Sequence, residues 1–172
     1  MGTKISQWSL QVAMSYAIRY ANPADAALLH NIIRAAFAEY DGVLAVPPGA
    51  LGETLQEVEQ AIARGTALLA YDGGHAVGTV RYEVRPGYLY VGRLAVLPSH
   101  RGRGVGAALM SYVERLAPGL GRTTIHLGTR LSMPGNLAFY ERLGYRVDST
   151  EPHPRGNDTN VWFEKELKLD NS

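Results

Sequence analysis

The chain has 172 residues, 46% of them hydrophobic and 19% charged, with 17 Lys and Arg against 16 Asp and Glu and no cysteine. This composition excludes fibrous, disordered and membrane-embedded classes. The absent thiols exclude disulfide frameworks, cysteine zinc sites and thiol nucleophiles. A formal net charge of +1 supplies no global field for nucleic acid or acidic lipid, so neither is expected as a partner.

Residues 1–13 carry one Lys and no apolar run of the length that a signal peptide or a membrane span needs, so no targeting segment is expected and a cytoplasmic location fits. Met14 precedes the strand-like stretch Tyr16 to Tyr20. Residues 1–13 are therefore read as an N-terminal extension, mobile or added for expression, ahead of a single domain over 14–172. Asn22-Pro23-Ala24-Asp25 has a capping residue, a proline suited to the first helical position and an acid for the positive helix end. It predicts a helix to about Tyr40, with Leu29, Ile32, Ile33, Ala36 and Phe37 on its apolar face. Pro47-Pro48 interrupts, and Leu51, Leu55, Val58 and Ile62 predict a second helix ending near Gly65.

Ala67 to Tyr71 and Val77 to Val84 read as strands joined by the turn Asp72-Gly73-Gly74-His75, and Tyr88 to Leu97 as a third antiparallel strand ended by Pro98. Val105, Ala108, Leu109, Tyr112, Val113 and Leu116 recur at helical spacing up to Pro118-Gly119. Thr123 to Thr129 predicts another strand, Asn136 to Leu143 a short helix closed by Gly144, and Tyr145-Val147 and Val161-Leu167 two final strands. The fold class is mixed α/β: one domain with a central sheet flanked by helices.

The segment Arg101-Gly102-Arg103-Gly104-Val105-Gly106 opens directly into a helix. Its glycines leave backbone N–H groups unobstructed, and the helix end adds positive potential, which together make an anion site. The arginines supply charge-assisted contacts. A Walker loop is excluded, because Gly-Lys-Ser/Thr is missing. Gly102-x-Gly104-x-x-Ala107 formally fits the dinucleotide fingerprint, but it follows a helical pair and a meander, and no acid stands about twenty residues on to hold a ribose. The arginines lack a basic face with interleaved aromatics, which argues against RNA. The five histidines are scattered, so no metal site is expected.

Leu94-Ala95-Val96-Leu97-Pro98-x-x-Arg101-Gly102-Arg103-Gly104-Val105-Gly106-x-x-Leu109 resembles the coenzyme-A-binding motif of the GNAT superfamily. Asn136-Leu137-Ala138-Phe139-Tyr140-Glu141-Arg142-Leu143-Gly144-Tyr145 resembles that family's Asn-x-x-x-Tyr-x-x-x-Gly-Tyr/Phe helix. The two together cover most of the chain from Tyr16 to Leu167. The resemblance implies a mostly antiparallel sheet with one splayed parallel pair, and acetyl-CoA as cosubstrate. It implies that Leu94, Ala95 and Val96 hold the pantetheine and thioester, that Arg101, Gly102, Arg103, Gly104, Val105, Gly106 and Ala107 hold the pyrophosphate, and that Asn136 holds the cofactor arm. Asn136 also suits a helix cap.

The reaction implied is attack of a small-molecule or peptide amine on the thioester. It needs a base, an oxyanion donor and an acid for the departing thiolate. Tyr140 is the implied acid. Glu83 and His126 are both candidate bases, and Glu39, Tyr40 and Asp41 are candidate acceptor contacts, an acidic pocket being suited to a cationic amine. The segments Asp41 to Leu51 and Glu151 to Asn160 are expected to line the acceptor side. Direct transfer is favoured over a covalent relay, because there is no cysteine and Ser132 lacks a nucleophile context. Homodimerisation stays open, and so does a non-catalytic acyl-CoA sensor.

Overall fold

The computed structural model describes residues 16–169, so the reading of residues 1–13 and Met14 lies outside the described residues. A seven-stranded sheet runs through the protein in the order β1-β2-β3-β4-β5-β7-β6. The strands are β1 (Ala17–Tyr20), β2 (Ala67–Asp72), β3 (His75–Arg85), β4 (Tyr88–Val96), β5 (Thr124–Arg130), β6 (Arg146–Pro152) and β7 (Thr159–Glu166). Neighbours are antiparallel throughout except β4 and β5, which run parallel. Four helices flank the sheet: α1 (Ala26–Phe37), α2 (Leu55–Ala63), α3 (Val105–Leu116) and α4 (Pro134–Arg142).

The side chains of β2 alternate between the two faces, as the period of a strand requires. Leu68 and Ala70 enter a core with Val105, Leu109, Met110 and Val113 of α3. Ala67 and Leu69 enter a second core with Leu29, Ile32 and Ile33 of α1 and Val58 and Ile62 of α2. Burial on both faces explains why this strand reads as an apolar run rather than as an alternating one. No helix among the described residues is long and apolar enough to cross a membrane.

The first helix begins as foreseen at Asn22, whose side chain accepts from the Ala24 backbone while Asp25 accepts from the Asn22 backbone. A single 3-10 turn, Pro23–Asp25, precedes α1, and another, Ala38–Tyr40, follows it. Asp25 also takes two hydrogen bonds from Arg19, at 2.7 and 3.0 Å. The Arg19 guanidinium holds the Asp25 carboxyl below the usual carboxylate range. A depressed folded-state pKa stabilises the protein above the unfolded value of about 3.9 and ceases to do so as pH falls through the folded one. Asp25→Asn is therefore expected to lower stability at pH 7 and to shrink the difference from the parent below pH 3, as urea titrations at both pH values will measure.

The second helix starts later than its apolar spacing suggested. Leu51 belongs to a 3-10 turn, Gly49–Gly52, and α2 begins after Thr54, whose hydroxyl accepts from Glu57 N while the Glu57 carboxylate accepts from Thr54 N. The final hairpin also differs from expectation, because β6 extends to Pro152.

Gly78 on β3 brings α3 close to the sheet. A Cβ there would lie 2.9 Å from Val105 Cγ1, 3.1 Å from Leu109 Cδ1 and 3.2 Å from the Ala95 carbonyl oxygen. Gly78→Ala is expected to cost about 1–3 kcal/mol, the usual penalty for overpacking, as a shift in urea midpoint with unchanged slope.

Candidate active site

The central pair of strands separates part-way along its length. β4 and β5 pair only at Leu89 with Ile125, Tyr90 with His126, and Val91 with Leu127. Beyond Leu127, β5 continues on β7 and β4 continues on β3. The facing edges of both strands are thus free of ladder partners from Gly92 and Gly128 onward, inside the sheet rather than at its rim. The cause is a bulge: Arg81 of β3 faces Gly92 while Thr79 faces Ala95, so β4 carries one extra residue there. Arg93 at the bulge has φ +53°, the one positive φ of a non-glycine residue among those described. Such a bulge twists the strand away from its neighbour.

The loop after β4 ends at Gly104, with φ +82° and ψ 8°, left-handed values that glycine adopts without a Cβ penalty. No side chain caps the helix that follows. The first intrahelical bond is donated by Ala108 to the Gly104 carbonyl, which leaves the N–H groups of Val105, Gly106 and Ala107 without helical partners. The loop is braced from outside. Tyr16 donates to the Arg103 carbonyl at 2.7 Å. Arg101 donates to the Ala36 carbonyl at 2.6 Å, at the C-terminal end of α1, and pairs with Glu39 at 2.7 Å. The Arg101 guanidinium thus ties the loop to α1, and Arg103 stays exposed.

A cleft of about 1090 Å³ passes through the gap between the strands. Leu94, Asn136, Tyr140, Glu83 and Tyr90 border it, along with Pro47 to Ala50, His153 and Arg155, whereas Ala95, Val96 and the loop from Arg101 to Ala107 do not. Tyr140 is 8% exposed, with ring centroids of Phe139, Tyr145 and Phe163 at 5.1, 5.9 and 5.9 Å. Burial pushes its phenol above the ordinary range, with the nearby Tyr90 adding to the effect. Asn136 is the third residue of α4 and not its cap, which is Met133. Its amide lies 3.4 Å from the Thr129 hydroxyl.

The other candidates are distributed differently. Glu83 reaches the cleft but also accepts from Arg85 at 2.9 Å. His126 does not border the cleft: its ring stacks on Tyr88 at 4.4 Å, and its Nε2 lies 3.5 Å from Glu164. None of Glu39, Tyr40 and Asp41 borders it either. Glu39 is engaged by Arg101, Tyr40 lies against Phe37 with its hydroxyl pKa raised by burial, and Asp41 points to solvent.

In place of an acidic wall, five arginines (64, 81, 93, 130 and 155) stand against three glutamates (53, 57 and 83). Arg130 donates to the Val46 and Pro47 carbonyls and lies 3.9 Å from Asp158. It fastens the loop before α2 to the end of β5. Arg93, Glu53 and Arg130 escaped the sequence reading. The one local signal was Gly92, since a glycine within a strand pattern marks a bulge.

The acetyltransferase (GNAT) family model matches residues 27–145. The chain is 32% identical over 92 residues to the uncharacterized N-acetyltransferase YjcF of Bacillus subtilis (strain 168), a stretch that covers 54% of this chain and 64% of that protein. Among solved structures, the PaiA N-acetyltransferase of Thermoplasma acidophilum in complex with coenzyme A superposes with a TM-score of 0.75 at 18% identity, over 90% of this chain and all of that one. Aminoglycoside 6'-acetyltransferase type Ii superposes with a TM-score of 0.71 at 25% identity, over 89% of this chain and 98% of that one. A match running from α1 through the Tyr140 helix takes in the glycine loop and the opened strand pair together, and the chain belongs to the GNAT acetyltransferase family.

Proposed function

We propose that this protein transfers an acetyl group from acetyl-CoA to an amine, directly and within one ternary complex. The observation that carries the reading is an open strand edge at Leu94 and the buried phenol of Tyr140 meeting in one cleft, with the uncapped N-terminus of α3 on the loop that follows the same strand.

Acetyl-CoA suits these residues. The partnerless amides of Val105, Gly106 and Ala107, with the loop from Arg101, would hold its pyrophosphate. The free edge of β4 at Leu94, Ala95 and Val96 would hold the pantetheine arm as an added strand, and Asn136 would steady that arm from α4. The cosubstrate supplies an activated acyl group. The chain's own contribution is to orient and to manage protons. Backbone N–H groups on the open edge of β4 donate to the carbonyl oxygen as negative charge develops there. Tyr140 keeps its proton at Oη, ready for the departing sulfur. Of the two candidate bases Glu83 borders the cleft, and we assign it uptake of the amine proton, through water where reach requires it.

Acetyl-CoA at about 100 times its Kd should stabilise the protein by about 2.7 kcal/mol, raising Tm by roughly 5–10 °C. Thiol release with a panel of amines should then give initial-rate lines that intersect. Parallel lines would contradict direct transfer, and heat protection without turnover on any acceptor would favour a non-catalytic acyl-CoA sensor.

A further inference from the structure

The charges around the acceptor side of the cleft are unequally committed. Each of its three glutamates already has a partner within the chain. Glu53 accepts from Arg81 at 2.5 Å, Glu57 closes the capping box of α2, and Glu83 accepts from Arg85. Arg81 and Arg130 are likewise occupied, by Glu53 and by the loop carbonyls. Arg64 and Arg155 stand exposed at the mouth.

Arg93 is different. It sits on the bulge that opens the sheet, one residue before Leu94, and its guanidinium lies against Gly49 on the opposite wall. Its side chain is 35% exposed, yet its Nε is buried without a hydrogen-bond partner. The nearest carboxylate is Glu53, at 3.6 Å from that Nε. Glu53 has the complementary deficit: its side chain is 6% exposed, it borders the cleft, and its Oε2 has no partner. A buried donor and a buried acceptor left unpaired side by side each cost free energy unless something else satisfies them.

We propose, building on the acetyl transfer inferred above, that the acceptor is an amine with a neighbouring carboxylate, of the α-amino-acid type. Its carboxylate pairs with the exposed end of the Arg93 guanidinium and its amino group lies toward the Glu53 side of that fork. A guanidinium fork matches a carboxylate in the plane. Glu53 beside the same fork repels a dianion such as a phosphate ester and favours a ligand that brings its own positive charge. Polyamines and aminoglycosides, which carry several cations and no anion, meet unspent arginines at the mouth and are disfavoured.

The test compares free L-amino acids with their amides, alongside spermidine and kanamycin, by thiol release at saturating acetyl-CoA. In parallel, N-acetyl-L-amino acids and their amides are compared for heat protection of the CoA-loaded protein. The carboxylate member of each pair should win by about ten- to a hundred-fold in kcat/KM or in affinity, the effect of one charge-assisted pair. Arg93→Gln should bring that ratio close to one, and Arg93→Lys should leave part of it, with acetyl-CoA still protecting both variants against heat. Equal or better use of the amides, a preference for spermidine or kanamycin, or an unchanged ratio in Arg93→Gln would overturn the proposal. Carboxylate-dependent protection without thiol release would instead remove acetyl transfer and leave the anion site standing.

Discussion

Replacing Tyr140 by Phe is expected to lower kcat roughly a hundred- to ten-thousand-fold, the range in which a positioned general acid contributes. The KM for acetyl-CoA should hardly move. The substitution removes only an oxygen. The ring keeps its neighbours Phe139, Tyr145 and Phe163, so the thermal midpoint should stay close to that of the parent. The pH profile gives a second reading. Burial raises the phenol above its ordinary value of about 10, so the protonated form persists through neutral and mildly alkaline pH. Loss of kcat through ionisation of Tyr140 should therefore appear only above about pH 10. A Tyr140→Phe enzyme with kcat within threefold of the parent would remove Tyr140 from proton transfer.

Legibility in the sequence followed locality. The glycine loop and the start of α3 could be read directly, because left-handed turns and helix starts depend on a few adjacent residues. The same holds for the Asn22 cap. The start of α2 was written just as locally in Thr54 and Glu57, a capping-box pair, but apolar spacing drew the boundary back to Leu51. That leucine packs in a 3-10 turn, where helical periodicity has no authority.

What the sequence could not order was the sheet. Nothing in Val161 to Leu167 indicates that this strand inserts between β5 and β6, because pairing across distant segments leaves no local mark. The polar residues of β6, exposed along its whole length, shortened its predicted extent for the same reason: an edge strand needs few apolar side chains. The cleft's electrostatics were hidden too. Arg93, Glu53 and Arg130 come from three separate segments and acquire meaning only where the bulge, the loop before α2 and the end of β5 meet.

Phe163 joins the core of the sheet to Tyr140 at the cleft wall, and Phe163→Ala should cost about 3–5 kcal/mol, the usual range for emptying an aromatic site in a core. Its side chain has no solvent exposure. It lies on β7 in register with Leu127 of β5 and Val147 of β6, and belongs to the core that holds Leu127, Val161 and Tyr140, so its loss leaves a void there. For a domain of ordinary total stability, about 5–15 kcal/mol, that is a large fraction. The ring also stands 5.9 Å from that of Tyr140, and the vacated space lets the phenol shift from the gap between β4 and β5. Phe163→Ala should therefore lose kcat even at temperatures where urea titration shows it fully folded. Phe163→Leu, which refills most of the volume, should recover most of the stability and most of kcat together. If kcat returned to parental values in the folded Phe163→Ala protein, Tyr140 would owe its placement to α4 and to Phe139 and Tyr145 alone.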